Sequence, residues 1–391
     1  MLYEHNNVRN WASILDENTR LQAEKIARSP ALCGPLALMP DSHLGIGACV
    51  GCVIPTKDAI LPAAIGVDIG CGLCAVKTNL SHAQLPLDLS PLIGEFGRSI
   101  PSGVGRSHGQ GGKRAVEWLE KHPPPHELTQ RNAAIALNQM GTLGSGNHFL
   151  EVCVDEDTNI WVVVHSGSRG VGNNLARGHI KAAQVYCKAA GLKTEDPDLA
   201  YLQKGTDEFE AYIQDMMWAQ TYAFENREYM IDEALNQLFR YVEKTTGIIG
   251  HEVSRLNTHH NYSQLETHDG LGEVWLSRKG AIQAHEGQLG IVPGSMAAGS
   301  FITVGLGNPL SYFSSSHGAG RQMSRGQAKR ELTVESLYAS MQGCCWNDDN
   351  AQALLDEHPK AYKDLDQVME DQQDLTKAVH YLAAIVNFKG V

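Results

Sequence analysis

Several residues of types that commonly bind metal ions lie in short glycine-rich motifs of this chain. Asp68 and Cys71 share one such motif, and His148 and His165 lie in two others. Carboxylate, thiolate and imidazole groups are all ligands of first-row metal ions. Flanking glycines let the backbone come close to an ion or a phosphate. Together these residues predict a metal site that is assembled from three separate loops.

Each of these residues also has a purely structural interpretation. A buried cysteine beside a turn aspartate would account for Asp68 and Cys71, and hydrogen-bonded core imidazoles would account for His148 and His165. The adjacent pair His259-His260 supplies further imidazoles. Because neighbouring residues of a strand point to opposite faces, we expect at most one of this pair to face the metal.

His317 lies in a stretch of small residues, Ser314–Arg321. Small neighbours leave room for a bulky phosphate-bearing molecule, and an imidazole can act as a covalent nucleophile. The alternative is a hydrogen-bonded turn histidine. Familiar nucleotide motifs are incomplete, since Gly112-Lys113 lacks the remainder of a P-loop and Thr267 stands where the K-x-D-G motif of ordinary ligases has lysine.

The patterns of apolar residues predict an α+β fold (irregular α/β), with a central β-sheet core, flanking helices and a deep cleft. We find neither a repeat nor a linker, so residues 1–391 are interpreted as a single domain. The predicted elements are a helix at 19–29, strands within 35–78, an inserted loop at 98–131 with a helix near 114–121, a hairpin of 147–154 and 159–166, helices at 171–190 and 207–243, strands within 272–305, and helices at 329–342 and 347–384.

The composition sets further limits. The chain has 391 residues, of which 42% are hydrophobic, enough for a sizeable core. A net charge of −12 argues weakly against nucleic-acid binding, because the acidic excess can lie far from the site. Nine cysteines without a disulfide framework and a polar N-terminus predict a reduced, cytoplasmic chain. Prolines and charges interrupt the apolar run at 48–76, so we expect no membrane span.

Motifs that follow one another from Met39 to the C-terminus resemble the RtcB family of GTP-dependent RNA ligases. Their number and order make a chance similarity improbable. The motifs are Met39–Gly45, Val67–Gly72, Gly141–Glu151, His165–Gly170, His260-Asn261, Pro293–Met296, Ser316–Arg321 and Lys389-Gly390.

The resemblance implies a site for two Mn²⁺ ions. Asp68 and His148 would hold one ion, His165 and His260 would hold the other, and the thiolate of Cys71 would bridge them. This ligand set would bind zinc at least as tightly, so selection would depend on geometry and metal supply.

The resemblance also implies a reaction in which GTP is a co-substrate. His317 would attack the α-phosphate of GTP and form a histidine–GMP intermediate. The enzyme would then join RNA 3′-phosphate or 2′,3′-cyclic-phosphate ends to 5′-hydroxyl ends, in RNA splicing or RNA repair. Two other functions stay open: a two-metal phosphohydrolase that opens cyclic phosphates, and a nucleotide- or RNA-binding protein without turnover.

The family's GMP contacts match a set of positions in this chain. Among them, the carboxylate of Glu151 can accept both N1–H and the exocyclic amine of guanine, a donor pair that adenine lacks, so it would select GTP over ATP. Asp41 is expected to position metal or substrate. The matching positions are Asn147, His148, Phe149, Leu150, Glu151, His260, Asn261, Pro293, Gly294, Ser295, Met296, Ser300, His317, Gly318, Ala319, Gly320 and Lys389.

The implied partners are RNA (tRNA halves, or cleaved rRNA or tRNA) and GTP, with a monomeric enzyme, no membrane, and an activating protein as a further candidate. Arg169 and Arg321 are candidates for binding RNA or phosphate oxygens. Arg106, Lys113 and Arg114 make one loop basic, which predicts either an RNA contact or a solvated loop.

Overall fold

The computed structural model describes residues 2–391, which combine extended sheets with helices on their faces. The strands are β1 Tyr3–His5, β2 Val8–Asn10, β3 Leu36–His43, β4 Val50–Thr56, β5 Ala59–Ile60, β6 Gly72–Ser81, β7 Phe149–Val154, β8 Asn159–Ser166, β9 Leu202–Gln203, β10 Glu252–His259, β11 Asn261–His268, β12 Gly272–Lys279, β13 Ala281–Gln283, β14 Leu289–Pro293, β15 Ser300–Gly305, β16 Ser314–Ser316, β17 Cys345–Trp346 and β18 Thr376–Lys389. The α-helices are α1 Glu17–Ala27, α2 Pro91–Ser99, α3 Lys113–Lys121, α4 Glu127–Arg131, α5 Ala133–Gln139, α6 Arg169–Ala189, α7 Asp207–Thr246, α8 Arg325–Glu331, α9 Val334–Ser340 and α10 Leu365–Asp371.

Two sheets form the framework of the molecule. The first has the strand order β1-β2-β3-β4-β12-β11, and the second has the order β10-β6-β8-β7-β18-β15-β14 with β17 beside β18. The pairs β2–β3 and β17–β18 are parallel, and the other pairs in these sheets are antiparallel. The predicted α+β class, with a sheet core and flanking helices, is confirmed.

The hairpin of β7 and β8 forms where the sequence predicts it. The carboxylate of Asp155 fixes its turn by accepting hydrogen bonds from the backbone N–H of Asn159 (2.8 Å) and the indole N–H of Trp161 (2.9 Å). Side chains alternate across β7, so Leu150 enters the hydrophobic core while Glu151 faces the opposite side. The same strand therefore contributes both to the core and to a cleft.

The 40-residue helix α7 is the longest helix among residues 2–391, and it covers one face of the second sheet. Its N-cap is Thr206, whose hydroxyl accepts a hydrogen bond from Phe209 N (3.3 Å). The helix ends at Gly247, which has φ = 76° and provides the left-handed C-cap. The apolar side chains on the buried face of its C-terminal half are Met230, Ile231, Ala234, Leu235, Leu238 and Val242. The predicted helix at 207–243 is confirmed.

The predicted helix at 347–384 is largely wrong. This segment contains only α10 and short 3-10 turns, and from Thr376 onward the chain forms the long strand β18. β18 pairs with β7 on one side and with β15 on the other. Two non-local ladders therefore override the local pattern, and they place the last residues of the chain in the middle of a sheet.

Residues 2–391 include no helix whose length and apolar content would suffice to cross a bilayer. The nine cysteines, all of which lie in this part of the chain, are free thiols.

Leu238→Ala tests the packing of α7 on the second sheet. The side chain is fully buried, so its truncation leaves a cavity and should lower the free energy of unfolding by about 2–5 kcal/mol. The matched control is Leu87→Ala, because Leu87 is fully exposed and its truncation should change stability by about 0.5 kcal/mol or less. Urea unfolding of both variants measures the difference, and equal losses would contradict the packing described here.

Candidate active site

The residues predicted to bind metal ions come together at one end of the second sheet. Cys71 Sγ lies 3.4 Å from His148 Nε2 and 3.4 Å from His165 Nε2. His165 Nε2 lies 2.9 Å from His260 Nε2, and an oxygen of Asp68 lies 3.0 Å from His148 Nε2. Ligand atoms held about 2.0–2.3 Å from one ion, at octahedral or tetrahedral angles, lie roughly 2.8–3.8 Å apart. These spacings therefore suit side chains that share bound ions.

The orientation of two imidazoles also fits metal binding. His148 Nδ1 lies 2.9 Å from the carbonyl oxygen of Leu143, and His165 Nδ1 lies 3.1 Å from that of Asn147. A carbonyl oxygen only accepts hydrogen bonds, so Nδ1 of each ring carries a proton. Nε2 of the neutral His165 ring therefore keeps its lone pair, and Nε2 of His148, which faces both Cys71 and Asp68, would have to give up any proton to bind an ion.

The electrostatics of the cluster fit the same interpretation. Burial lowers the pKa of both His165 and His260 well below the usual range, so both rings are neutral. Burial, followed by the charge of Asp68, raises the pKa of the Cys71 thiol well above its usual range. Burial is the largest single influence on Asp68 and opposes its ionisation, but the hydrogen bond to His148 and the nearby charges of His148 and Arg169 together outweigh it and lower the pKa of Asp68. A bound cation would stabilise a thiolate and a carboxylate in this buried space.

Neighbouring strands bring the ligands to one place. Cys71 immediately precedes β6, whose first residues pair with His259 of β10 and with the last residues of β8, where His165 lies. His260 follows β10 and donates its backbone N–H to the carbonyl of Cys71 at 2.7 Å. The ring of His259 turns away and contacts the carbonyl of Gly70 at 2.9 Å. The prediction that at most one residue of the His259-His260 pair faces the cluster is confirmed.

His317 lies beside this cluster, with its ring centroid 4.6 Å from that of His260. Its Nδ1 lies 2.6 Å from the buried carboxylate of Asp41. The same oxygen accepts the backbone N–H groups of His317 (3.1 Å) and Gly318 (3.2 Å). Asp41, which we expected to position metal or substrate, thus contacts His317 and leaves Nε2 of that ring with its lone pair.

A cleft of about 320 Å³ opens over the metal-ligand cluster and over His317. Most of the residues predicted to contact GMP line it, but His148 and Leu150 do not, and the side chain of Leu150 lies in the core on the opposite face of β7. The predicted residues in the lining are Asp68, Cys71, Asn147, Phe149, Glu151, His165, His260, Asn261, Pro293, Gly294, Ser295, Met296, Ser300, His317, Gly318, Ala319, Gly320, Arg321 and Lys389.

Glu151 is a buried carboxyl group in the lining of this cleft. Burial raises its pKa to about 7, although Lys389 and a hydrogen bond from Asn387 act in the opposite direction. The amide of Asn387 donates to Glu151 at 2.5 Å, and the ammonium of Lys389 lies over the ring of Phe149 at 5.6 Å. Glu151 is therefore poised between its two protonation states near neutral pH.

The lining also contains residues that the sequence analysis did not select, among them the polar residues Arg325, Glu357, Tyr362 and Asn387. Lys389 Nζ lies 3.4 Å from the buried carboxylate of Glu357, which also accepts the hydroxyl of Tyr362 at 2.5 Å. Because the sequence analysis predicted a helix at 347–384, it did not identify Glu357 and Tyr362 as neighbours of Lys389. A strand at the C-terminus would have placed Asn387 and Lys389 on one face, because they are two residues apart.

The basic side chains that are candidates for binding RNA differ in whether acidic side chains already pair with them. Arg114 forms ion pairs with Glu225 and Asp232 at 2.6 Å each. These pairs argue against the prediction that Arg114 contacts RNA. Arg321 is held by Glu357 at 3.4 Å, whereas Lys113 is largely exposed and lies 3.5 Å from the exposed carboxylate of Glu117.

A sequence model described as tRNA-splicing ligase RtcB matches residues 22–390. The chain belongs to the RtcB family. The RNA-splicing ligase RtcB of Escherichia coli strain K12 is 40% identical to it, over 96% of this chain and 95% of the relative. The RNA-splicing ligase RtcB of Mycobacterium tuberculosis is 31% identical, over 95% of this chain and 100% of the relative. The tRNA-splicing ligase RtcB of Nanoarchaeum equitans is 28% identical, over 96% and 92% respectively.

Cys71→Ala tests whether this RtcB-family chain binds metal through the cluster. Co²⁺ added to the metal-free parent should give a thiolate-to-metal absorption band, and Cys71→Ala should lose that band. Cys74→Ala is the matched control, because Cys74 is equally buried but lies in the core on the other face of β6. A band that survives in Cys71→Ala would remove this thiol from the metal site.

Proposed function

We propose that this chain is an RNA ligase that uses GTP and two Mn²⁺ ions to join RNA 3′-phosphate or 2′,3′-cyclic-phosphate ends to 5′-hydroxyl ends. The observation that carries the proposal is the contact between His317 and Asp41, beside the metal-ligand cluster and inside one cleft. It leaves a nucleophilic nitrogen next to the proposed ions. The names of the relatives as RNA-splicing or tRNA-splicing ligases support the same reaction class.

In this proposal Asp68 and His148 would hold one ion, His165 and His260 would hold the other, and Cys71 would contribute to both. The chain from residue 1 to residue 391 acts as one domain. Bound divalent cations supply charge neutralisation for the transferring phosphoryl group. The protein contributes the rest by orienting the nucleophile and by excluding water from the cleft.

His317 carries the guanylate. Its Nε2 attacks the α-phosphorus of GTP, the bond from that phosphorus to the bridging oxygen breaks, and pyrophosphate leaves. The ring becomes a cation, and the carboxylate of Asp41 stabilises that charge through Nδ1–H. A 2′,3′-cyclic-phosphate end is first opened by water, whose oxygen bonds to phosphorus while the bond to the 2′-oxygen breaks and that oxygen is protonated. An oxygen of the RNA 3′-phosphate then attacks the guanylate phosphorus, and His317 recovers its lone pair. Finally the 5′-hydroxyl of the second RNA attacks the activated 3′-phosphorus and loses its proton to solvent, GMP leaves, and a phosphodiester forms.

Glu151 determines the choice of base in the same proposal. Its carboxylate accepts N1–H and the exocyclic amine of guanine, while Phe149 and Lys389 flank the base. A buried acceptor without its donor pair is costly, so adenine is rejected. The alternative of a phosphohydrolase needs neither Glu151 nor the pairing of Asp41 with His317, and the presence of both favours the ligase.

The reaction is tested with GTP labelled on the α-phosphate, Mn²⁺, and a pair of RNA ends of which one bears a cyclic phosphate and the other a 5′-hydroxyl. We expect joined RNA, together with protein-bound label that is acid-labile and alkali-stable, as a phosphoramidate should be. His317→Ala should lose both products, whereas His251→Ala should retain them, because His251 is exposed and outside the cleft.

Two outcomes would contradict the proposal. Cyclic-phosphate opening without joining, and without protein-bound label, would indicate the phosphohydrolase. Protein-bound label that persists in His317→Ala would show that another residue is the nucleophile.

The base preference should depend on pH. A carboxyl group with a pKa raised to about 7 is mostly protonated below that pH, and a protonated Glu151 cannot accept both donors of guanine. The KM for GTP should therefore fall as the pH rises from 6 to 8. Glu151→Gln should raise the KM, flatten this dependence, and narrow the preference for GTP over ATP. A parent enzyme that uses ATP as well as GTP would refute the role of Glu151.

A further inference from the structure

Two adjacent polar residues, Asn226 and Arg227, lie in the middle of α7 and are completely buried. Arg227 Nη1 donates to the carbonyl oxygens of Gly70 (2.7 Å) and Ser166 (3.0 Å). Gly70 directly precedes Cys71, and Ser166 directly follows the histidine at 165. One guanidinium nitrogen therefore joins two of the segments that carry proposed metal ligands.

The other nitrogens of Arg227 reach the third segment. Its Nη2 lies 3.1 Å from Nδ1 of His259, the residue before His260, and its Nε donates to the amide oxygen of Asn257 at 2.8 Å. The three segments are far apart in the sequence, and each of them contributes one ligand to the same proposed ion, namely Cys71, His165 or His260. The guanidinium is thus a common support behind that half of the cluster.

Asn226 supports the other half. Its amide oxygen accepts the backbone N–H of Gly141 at 2.7 Å, and its amide nitrogen donates to the carbonyl of Gly167 at 3.1 Å. The loop from Gly141 leads to His148, and the backbone N–H of Ser168 donates to the carboxylate of Asp68 at 3.1 Å. Arg227 therefore holds the segments that carry Cys71, His165 and His260, and Asn226 holds those that carry His148 and contact Asp68.

We propose that Arg227 is a positioning residue that fixes the geometry of the ion site formed by Cys71, His165 and His260 before any ion binds. This inference rests on the two-ion site proposed above. A positive charge close to a bound cation weakens its binding by repulsion, so the benefit of Arg227 must be geometric. Its fixed fork of donors can satisfy several carbonyl and side-chain acceptors at once, which a point-like ammonium cannot do.

The test compares Arg227→Met with Arg227→Lys in metal-free protein titrated with Mn²⁺. The parent should bind two ions. Both variants should bind the ion of His165 and His260 about 10–100-fold more weakly, the usual effect of removing a residue that supports metal ligands, and the ion of Asp68 and His148, which shares only Cys71 with these segments, should lose less affinity. Because lysine keeps the charge but not the fork, weak binding by both variants identifies geometry as the cause.

Arg278→Met is the matched control. Arg278 is also completely buried, but its partners are Glu266, Tyr312 and Ser314, so its loss should cost stability and leave the affinity for both ions unchanged.

A second measurement requires no metal. Hydrogen exchange in the metal-free protein should be faster in both Arg227 variants at the backbone amides of Gly70 and His260. These amides donate to the carbonyls of Asn261 (2.6 Å) and Cys71 (2.7 Å), so they report the contact between the segments that Arg227 joins. Exchange in β15, which pairs with β14 and β18 and makes no hydrogen bond with Arg227, should keep the rate of the parent.

The outcomes separate this inference from the proposed function. Unchanged metal affinities and unchanged exchange in either folded variant would overturn the role of Arg227. If Arg227→Lys kept the metal affinity of the parent, the positive charge and not the geometry of the guanidinium would account for the effect. A parent that binds fewer than two ions would overturn the two-ion site. In that case the exchange rates at Gly70 and His260 still decide whether Arg227 positions these segments.

Discussion

The close approach of one thiol, one carboxylate and several imidazoles in a buried space is the interaction on which the rest of the site depends. Such groups are unfavourable in a protein interior unless each has a partner. The fold meets this demand by giving imidazoles backbone carbonyl partners on the side away from the cluster, as for His148 and His165. The Nε2 atoms on the other side of these rings converge on Cys71, and this arrangement suits a bound cation.

The helix α7 both stabilises the hydrophobic core and holds the segments that form the cluster. Its apolar face packs on the second sheet, while Asn226 and Arg227 lie at the point where the helix passes beneath the ligand segments. A helix held by a hydrophobic core is more rigid than a loop, so donors attached to it can fix loops that have little packing of their own. The same element thus serves both the core and the cluster.

The nucleotide side of the cleft depends on a different constraint, the alternation of side chains along two paired strands. β7 presents Phe149 and Glu151, and β18 presents Asn387 and Lys389 on the facing positions. Burial of Glu151 raises its pKa, which is unfavourable for a carboxylate without a ligand. Groups that are poorly satisfied in the free protein and well satisfied by a ligand are typical of binding sites.

The sequence by itself determined the residue types that can bind metal or act as a nucleophile, the β7–β8 hairpin, and the course of α7. These features depend on short motifs and on the period of apolar residues, which are local. Only the tertiary structure decided that the C-terminal segment is a strand, that Asp41 pairs with His317, and that Arg227 joins three ligand segments. Each of these depends on contacts between residues far apart in the chain, and no local pattern encodes which distant partner a buried polar group will meet.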